Sequence, residues 1–478
     1  MKLQSDVDVV ALNVVARGPD LTPLHDKQRT RKVEEAVDGL RLDADTVLRV
    51  RGVFQDEMEA GRLDKPSSLQ MENTFIPELL DGSENGSFLA LDLGGTNFRV
   101  MNLVLENGRV VDENIAFYHV DDHLRMGCGY RLFDFLAECI ADFVHKQGLD
   151  GAGRLPLGFT FSFPMTQTSL DDGKLVTWTK SFNCPNVVGM NAVQLLRDAL
   201  AKRGDVNVDV MAVLNDTAGT LVKGSYLDRD CAIGLILGTG SNACFLEHAH
   251  LAKNNSHLTH GEKDVIVDIE WGAFGDNGSL DFIRTEFDDA VDEVSVIPGS
   301  FTFEKYIGGK YLGELVRRVL LRLVRDGLLF SGVSSPELNT TWAFTTSMVS
   351  HIEQDNIDGL HRNTREILDS FNLNFDADDV LIVQWVCQLA SNRGALLVST
   401  CLASLLDRME RPSTTIAVDG SLYQKHPRIK SLLEKYTSMM APKRKRKFLL
   451  AEDGSGKGAG LVAAIAEKLR LRNNNSSL

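Results

Sequence analysis

Apolar residues recur along this 478-residue chain in two rhythms, and the switches between them mark its elements. Between residues 27 and 62, Val33, Val37, Leu40, Val47, Val50 and Phe54 fall at helical spacing, and the stretch ends near Gly61 and Pro66. Leu132, Phe133, Leu136, Cys139, Ile140 and Phe143 repeat that spacing, as does 315–329, and both predict helices that pack against a sheet. Strand-like runs stand at Leu155–Phe163, Val206–Leu214, Val265–Ile269, Ile416–Val418 and Phe448–Leu450. Their alternation with helices predicts an α/β protein with sheets covered on both faces. The tail Asn473-Asn-Asn-Ser-Ser477 is low in complexity and is expected to be disordered.

Chemistry enters where apolar runs stop at glycine. Phe88-Leu-Ala-Leu-Asp-Leu-Gly-Gly-Thr-Asn-Phe-Arg99 brings Asp92, two glycines and Thr96 to a turn, and alternation resumes through Phe98, Val100, Asn102 and Val104. Glycine permits backbone N–H groups to converge on an anion, so this reads as a hairpin phosphate loop, with an ordinary Gly-rich hairpin as the alternative. Cys231-Ala-Ile-Gly-Leu-Ile-Leu-Gly-Thr-Gly-Ser-Asn-Ala-Cys-Phe-Leu246 repeats the pattern, which suggests a duplicated fold and two lobes about a cleft. Gly238, Gly240 and Ala243 loosely fit a dinucleotide fingerprint, but strand rather than helix follows. Asp453-Gly-Ser-Gly-Lys-Gly458 fails the P-loop pattern, with Ala451 and Gly458 at two of its required positions. The run Val206–Leu214 ends at Asn215-Asp216, where an acid can face a cleft as general base or simply cap the next helix.

A net charge of −15 argues against general affinity for nucleic acid or anionic membrane, and no eighteen apolar residues run together. Seven scattered cysteines without paired CxxC spacing fit reduced thiols, and the chain reads as cytoplasmic. The basic run Lys443-Arg-Lys-Arg-Lys447 is expected to be a solvated loop.

From about Leu89 to Ala466 the chain resembles the eukaryotic hexokinase family, within the actin-like sugar kinase superfamily. Besides the two hairpins, the likeness rests on Leu157-Gly-Phe-Thr-Phe-Ser-Phe-Pro164 with Trp178-Thr-Lys180, Leu214-Asn-Asp-Thr-Ala-Gly219, Glu270-Trp-Gly-Ala-Phe-Gly275, Phe303-Glu-Lys305, Val418-Asp-Gly-Ser-Leu-Tyr423 and Asp453–Gly458. The resemblance implies a two-lobed, ribonuclease H-like fold. Its lobes would be a small one over 80–214, rejoined by a C-terminal helix at 458–472, and a large one from 1–79 and 215–457. It implies ATP-dependent phosphorylation of glucose or a related hexose at the 6-hydroxyl, by a monomer with Mg²⁺ and no membrane insertion.

By the same resemblance, Ser162, Thr179, Lys180, Asn215, Asp216, Asn242, Glu270 and Glu304 surround the sugar. Asp216 is the general base, Lys180 a positive charge near the phosphoryl group, and Asp92 the Mg²⁺ carboxylate, through water. Gly94, Gly95, Thr96, Asn97 and Arg99 line one phosphate loop and Gly238, Thr239 and Gly240 the other, while Gly420, Ser421, Gly454, Ser455 and Gly456 border adenosine. The length is that of one catalytic unit, which predicts no tandem repeat. Three positions depart from the family's pattern. Asp268 replaces an asparagine and is expected to share a strand face with Glu270, where two acids would raise a pKa. Phe301 replaces a glutamine, and Ser391-Asn-Arg-Gly-Ala395 varies a helical Ser-Thr-Arg-Ala-Ala pattern. A catalytically weak hexokinase-like sugar sensor is the alternative, and an actin-like ATPase a weaker one.

Overall fold

A computed structural model of the chain describes residues 7–94, 97–179, 182–253 and 264–476. Among the described residues, thirteen strands run in chain order as β1 (Glu72–Asn73), β2 (Gly86–Leu93), β3 (Asn97–Glu106), β4 (Arg109–His119), β5 (Leu155–Phe161), β6 (Met165–Ser169), β7 (Asp172–Leu175), β8 (Val208–Leu214), β9 (Cys231–Leu237), β10 (Ser241–His248), β11 (Asp264–Asp268), β12 (Ser413–Asp419) and β13 (Lys445–Leu450). They form one sheet ordered β4-β3-β2-β5-β8, a second ordered β1-β11-β10-β9-β12-β13, and a small β6-β7 ribbon. Apart from β1, the large sheets share one plan: an antiparallel hairpin, a third antiparallel strand outside it, and two parallel strands on the other side. The duplication expected from the two hairpins is therefore present in the strand order.

Alternation decides which residues reach the site. On β2, Leu89, Leu91 and Leu93 pack toward the helix Gly129–Lys146, while Phe88 and Ala90 face the last helix, Gly454–Ser476. Asp92 shares the second face and points at that helix. Opposite it on β3, Arg99 takes the same face as Met101 and Leu103. In the second sheet Cys244 and Ile266 face the helix Asp216–Leu227, and Asn242 and Asp268 follow them by parity.

The last helix returns to the first sheet and also packs along Asp216–Leu227. Their backbones meet at glycine: a Cβ on Gly458 would stand 2.1 Å from the Gly219 carbonyl oxygen. This explains why the serine or threonine of a P-loop is excluded there. The N-terminal helices Val9–Ala16, Lys27–Val37 and Ala44–Arg62 join the core of the second sheet. So does the helix Ala377–Met409, which is long and apolar enough to cross a membrane yet has its apolar 18-residue stretch buried inside the protein.

Three expectations are corrected. The stretch 27–62 is two helices, because the chain turns through Asp38–Leu40 and Asp43 then caps a new helix by accepting the Thr46 N–H at 2.8 Å. Lys445, Arg446 and Lys447 belong to β13 rather than a loop, since an edge strand tolerates charge and is protected by it. Asn473–Ser476 extend the last helix, whose propagation costs little once its first turns are packed.

Replacing Gly458 by alanine drives a methyl group into the Gly219 backbone. We expect a loss of about 1–3 kcal/mol in urea unfolding, and an unchanged midpoint would contradict the close approach.

Candidate active site

The carboxyl ends of β2, β5, β8, β9 and β12 converge on a cavity of about 810 Å³. Asn215 and Asp216 line it where β8 gives way to a helix. Asn215 is the residue that caps this helix, accepting the Thr217 N–H at 3.0 Å, so Asp216 begins the first turn and is not its cap.

One end of the cavity is a cluster of polar side chains with fixed orientation. The Asn215 amide, its oxygen held by Thr217, donates through Nδ2 to Glu270 Oε1 at 3.0 Å. Glu304 accepts the Ser241 N–H at 3.1 Å, and a Cβ on Gly240 would lie 2.1 Å from Glu304 Oε2. Ser162 and Thr179 also line the cavity. Carboxylates, amides and hydroxyls at this density suit a ligand rich in groups that both donate and accept.

The other end suits an anion. Arg99 donates to Asp92 and, at 2.5 Å, to Asp453, while Ser455 Oγ donates to Asp92 Oδ2 at 2.9 Å. Both carboxylates raise the Arg99 pKa against the effect of burial. Gly238 and Thr239 are tied down by the Gly309 and Lys310 N–H groups at 2.8 and 3.0 Å, and Gly420 and Ser421 face them. Asp419 accepts the Gly420 and Gly454 N–H groups at 2.7 and 2.9 Å, and burial raises its pKa.

Of the residues singled out in the sequence, Asp92, Gly94, Arg99, Ser162, Thr179, Asn215, Asp216, Gly238, Thr239, Gly240, Asn242, Glu270, Glu304, Gly420, Ser421 and Ser455 line this one cavity. Gly454 and Gly456 stand behind its wall, Gly454 bonded to Asp419 and Gly456 against Met101 and Asp92. Asn97 opens β3, and Gly95, Thr96 and Lys180 lie outside the described residues. Ser241, Lys310, Tyr311, Asp419 and Phe117 also line the cavity without having been singled out. Asp419 sits inside a quoted motif and was legible, whereas Phe117 arrives from β4 with no local signal. Phe301 lines the cavity in the left-handed backbone region (φ 59°), its N–H donated to Asp276 at 2.9 Å.

Asp268 and Glu270 do meet, though not through strand alternation. β11 ends at Asp268, and Glu270 adopts φ 54° before a short turn. Burial foremost, with the charge of Asp216 adding to it, pushes the Asp268 pKa up from 3.8 to about 7 against the hydrogen bonds it accepts.

The sequence matches the hexokinase family model in two parts, over residues 32–226 and 232–465. It is 41% identical to human Hexokinase-1 over 454 residues and 43% identical to human Hexokinase-2 over 459. Each alignment covers 93% of this chain, which spans about half (49%) of the length of these curated relatives. Among solved structures, a hexokinase from Schistosoma mansoni complexed with glucose superposes with a TM-score of 0.84 at 36% identity, over 92% of this chain and all of that one. A second hexokinase crystal structure gives 0.78 at 28%, with the same coverage.

The raised pKa of Asp268 has a consequence for stability. Unfolded, its carboxyl releases its proton near 3.8, whereas folded it keeps it to about 7, so stability falls as pH rises between these values. Asp268→Asn is therefore expected to melt several degrees above the unsubstituted protein at neutral pH, with the gap closing on acidification below about pH 4. Parallel Tm–pH curves would contradict it.

Proposed function

The chain belongs to the hexokinase family, and on that premise we propose that its cavity transfers the γ-phosphoryl group of ATP to the 6-hydroxyl of glucose or a related hexose. The observation that carries this reading is that Asp216 lines the same cavity as a polar cluster suited to sugar hydroxyls and a pair of glycine turns suited to phosphates. Glu270, Glu304, Asn215 and Asn242 receive the hexose hydroxyls, and leaving any of these polar groups unpaired is what rejects a wrong ligand. With the sugar seated, Asp216 accepts the proton of the 6-hydroxyl as its oxygen attacks the phosphoryl group. Lys180, which follows the cavity residue Thr179, supplies positive charge beside that group.

Arg99 and the turns at Gly238–Gly240 and Gly420–Ser421 border the nucleotide's phosphates, with Ser455 orienting Asp92. The donor set fits Mg²⁺. Among the described residues no cluster of three or more His, Cys, Asp or Glu could cage a metal ion, whereas Mg²⁺ retains water and needs only one or two carboxylates beside phosphate. Asp92 would hold it, and when bound it neutralises phosphate charge. The work left to the protein is positioning and exclusion of water, which would otherwise accept the phosphoryl group. The cysteines are all unpaired, in keeping with a reducing cytoplasm. A pure sugar sensor has no use for Asp92, Arg99 and Asp216 in the same cavity.

Asp216→Asn tests the reading. We expect kcat to fall by about 10²–10⁴-fold, while calorimetry still detects glucose binding. Turnover equal to that of the unsubstituted protein would sink the assignment.

A further inference from the structure

Part of the cavity wall beside Glu304 is apolar. Phe301 lines the cavity three residues before Glu304, and Val296 and Ile297 line it from the segment leading to Phe301. The Phe301 ring lies over the backbone of Gly272, where a Cβ would come within 3.4 Å of Phe301 Cδ1 and 3.6 Å of Glu304 Cβ. The ring therefore touches the turn that follows Glu270 and adjoins the helix Thr302–Ile307, which carries Glu304.

This ring is held under strain. At φ 59° and ψ 44° the Phe301 backbone is left-handed, a conformation that a bulky residue adopts only at a cost. Asp276 maintains it, accepting the Phe301 N–H at 2.9 Å through one carboxylate oxygen and the Thr302 N–H at 2.8 Å through the other. Phe301 occupies the cap position of its helix without an acceptor of its own, so Asp276 supplies the cap from another segment. The approach to Phe301 is strapped as well, since Gly299 N–H donates to Asp292 at 3.0 Å and Lys305 Nζ to the Ile297 carbonyl at 2.9 Å. Core packing does not account for the arrangement. Phe303, two residues on, is the aromatic that packs inside, against Trp271 and Phe274, whereas Phe301 stays half-buried in the cavity wall. Backbone strain kept at a cavity wall points to a role in receiving a ligand.

We propose that Phe301 is a specificity-determining residue whose ring receives the C–H face of the hexose, and that Asp276 is the positioning residue that holds the ring there. The inference rests on the hexokinase reading of the cavity. A hexopyranose is amphipathic, because equatorial hydroxyls leave its faces to C–H groups while an axial hydroxyl puts a polar group on a face. The carboxylates and amides of the cluster take hydroxyls at the sugar's edge. Against Phe301 an axial hydroxyl finds no partner, and Val296 and Ile297 add only apolar side chains, so such an epimer carries the penalty of an unpaired polar group. Glucose, whose ring hydroxyls beyond the anomeric one are all equatorial, escapes it.

The test compares the full-length protein with Phe301→Gly, Phe301→Gln, Asp276→Ala and Asp276→Asn, using steady-state kinetics on glucose, mannose, allose and galactose and thermal melting without ligand. Glycine accepts the left-handed backbone without strain, so Phe301→Gly should leave Tm within a few degrees while raising KM for glucose on the order of tenfold, as loss of a half-buried aromatic contact implies. Its kcat and its KM for ATP should stay within about twofold, since the contact is made to the sugar before and during transfer alike. Phe301→Gln should narrow the kcat/KM preference for glucose over at least one epimer by about tenfold, and this variant decides the case if the glycine protein is unstable. Asp276→Ala should reproduce the raised glucose KM, and Asp276→Asn, which keeps one acceptor oxygen, should recover part of the loss. Unchanged epimer ratios in Phe301→Gln would overturn the specificity role, as would a large fall in Tm with an unchanged glucose KM in Phe301→Gly. An unaltered KM in Asp276→Ala would overturn the positioning role. Absence of both hexose binding in calorimetry and turnover in the unsubstituted protein would instead mean that the hexokinase reading fails, taking the role of Phe301 with it.

Discussion

The backbone contact between the last helix and the helix that begins at Asp216 is the constraint on which the cleft depends. Gly458 lies against Gly219, and Ala459 lies close enough to Gly158 of β5 that a Cβ there would be 2.0 Å from its carbonyl oxygen. A helix pinned on both sides cannot move without carrying Ser455, and with it the hydrogen bond to Asp92. The same helix pair fixes the first turn that holds Asp216. Two carboxylates, Asp92 on β2 and Asp216 at the start of the helix after β8, are thus set in one cavity by a stripe of residues too small to keep the backbones apart.

Charge explains the rest of the site. The carboxylate-rich end of the cavity concentrates Asp216, Glu270 and Glu304, with Asp268 behind Glu270, in a place where burial makes each negative charge costly. Fixed donors offset part of that cost: the Asn215 amide on Glu270, the Ser241 N–H on Glu304 and the Asn242 amide on Asp268. The two amides are each held by a backbone N–H, so the cluster is preorganised before any ligand arrives. At the other end Arg99 sits between Asp92 and Asp453, one guanidinium against two carboxylates.

Much of this was legible in the order of residues. The hairpins around Gly94 and Gly238 were visible as apolar runs stopping at glycine, and strand parity alone sends Asp92 and Arg99 to one face. Asp216 was legible as an acid at a strand end, though not the fact that Asn215 would take over the capping. Other features depend on long-range packing that no local pattern encodes. Lys445–Lys447 looked like a loop because charge dominates the run, whereas pairing with β12 makes it a strand. Phe117 reaches the cavity only because β4 flanks β3, and the meeting of Asp268 with Glu270 depends on a left-handed residue that no alternation predicts.

The central claim is that sugar and nucleotide meet in this cavity and that a phosphoryl group passes between them. ADP release from Mg-ATP by the purified protein, with and without glucose, fructose and mannose, tests it most directly. The account predicts release that requires a hexose and matches the hexose phosphate formed mole for mole. ADP release at the same rate without sugar would contradict it, as would hexose binding with no release at all.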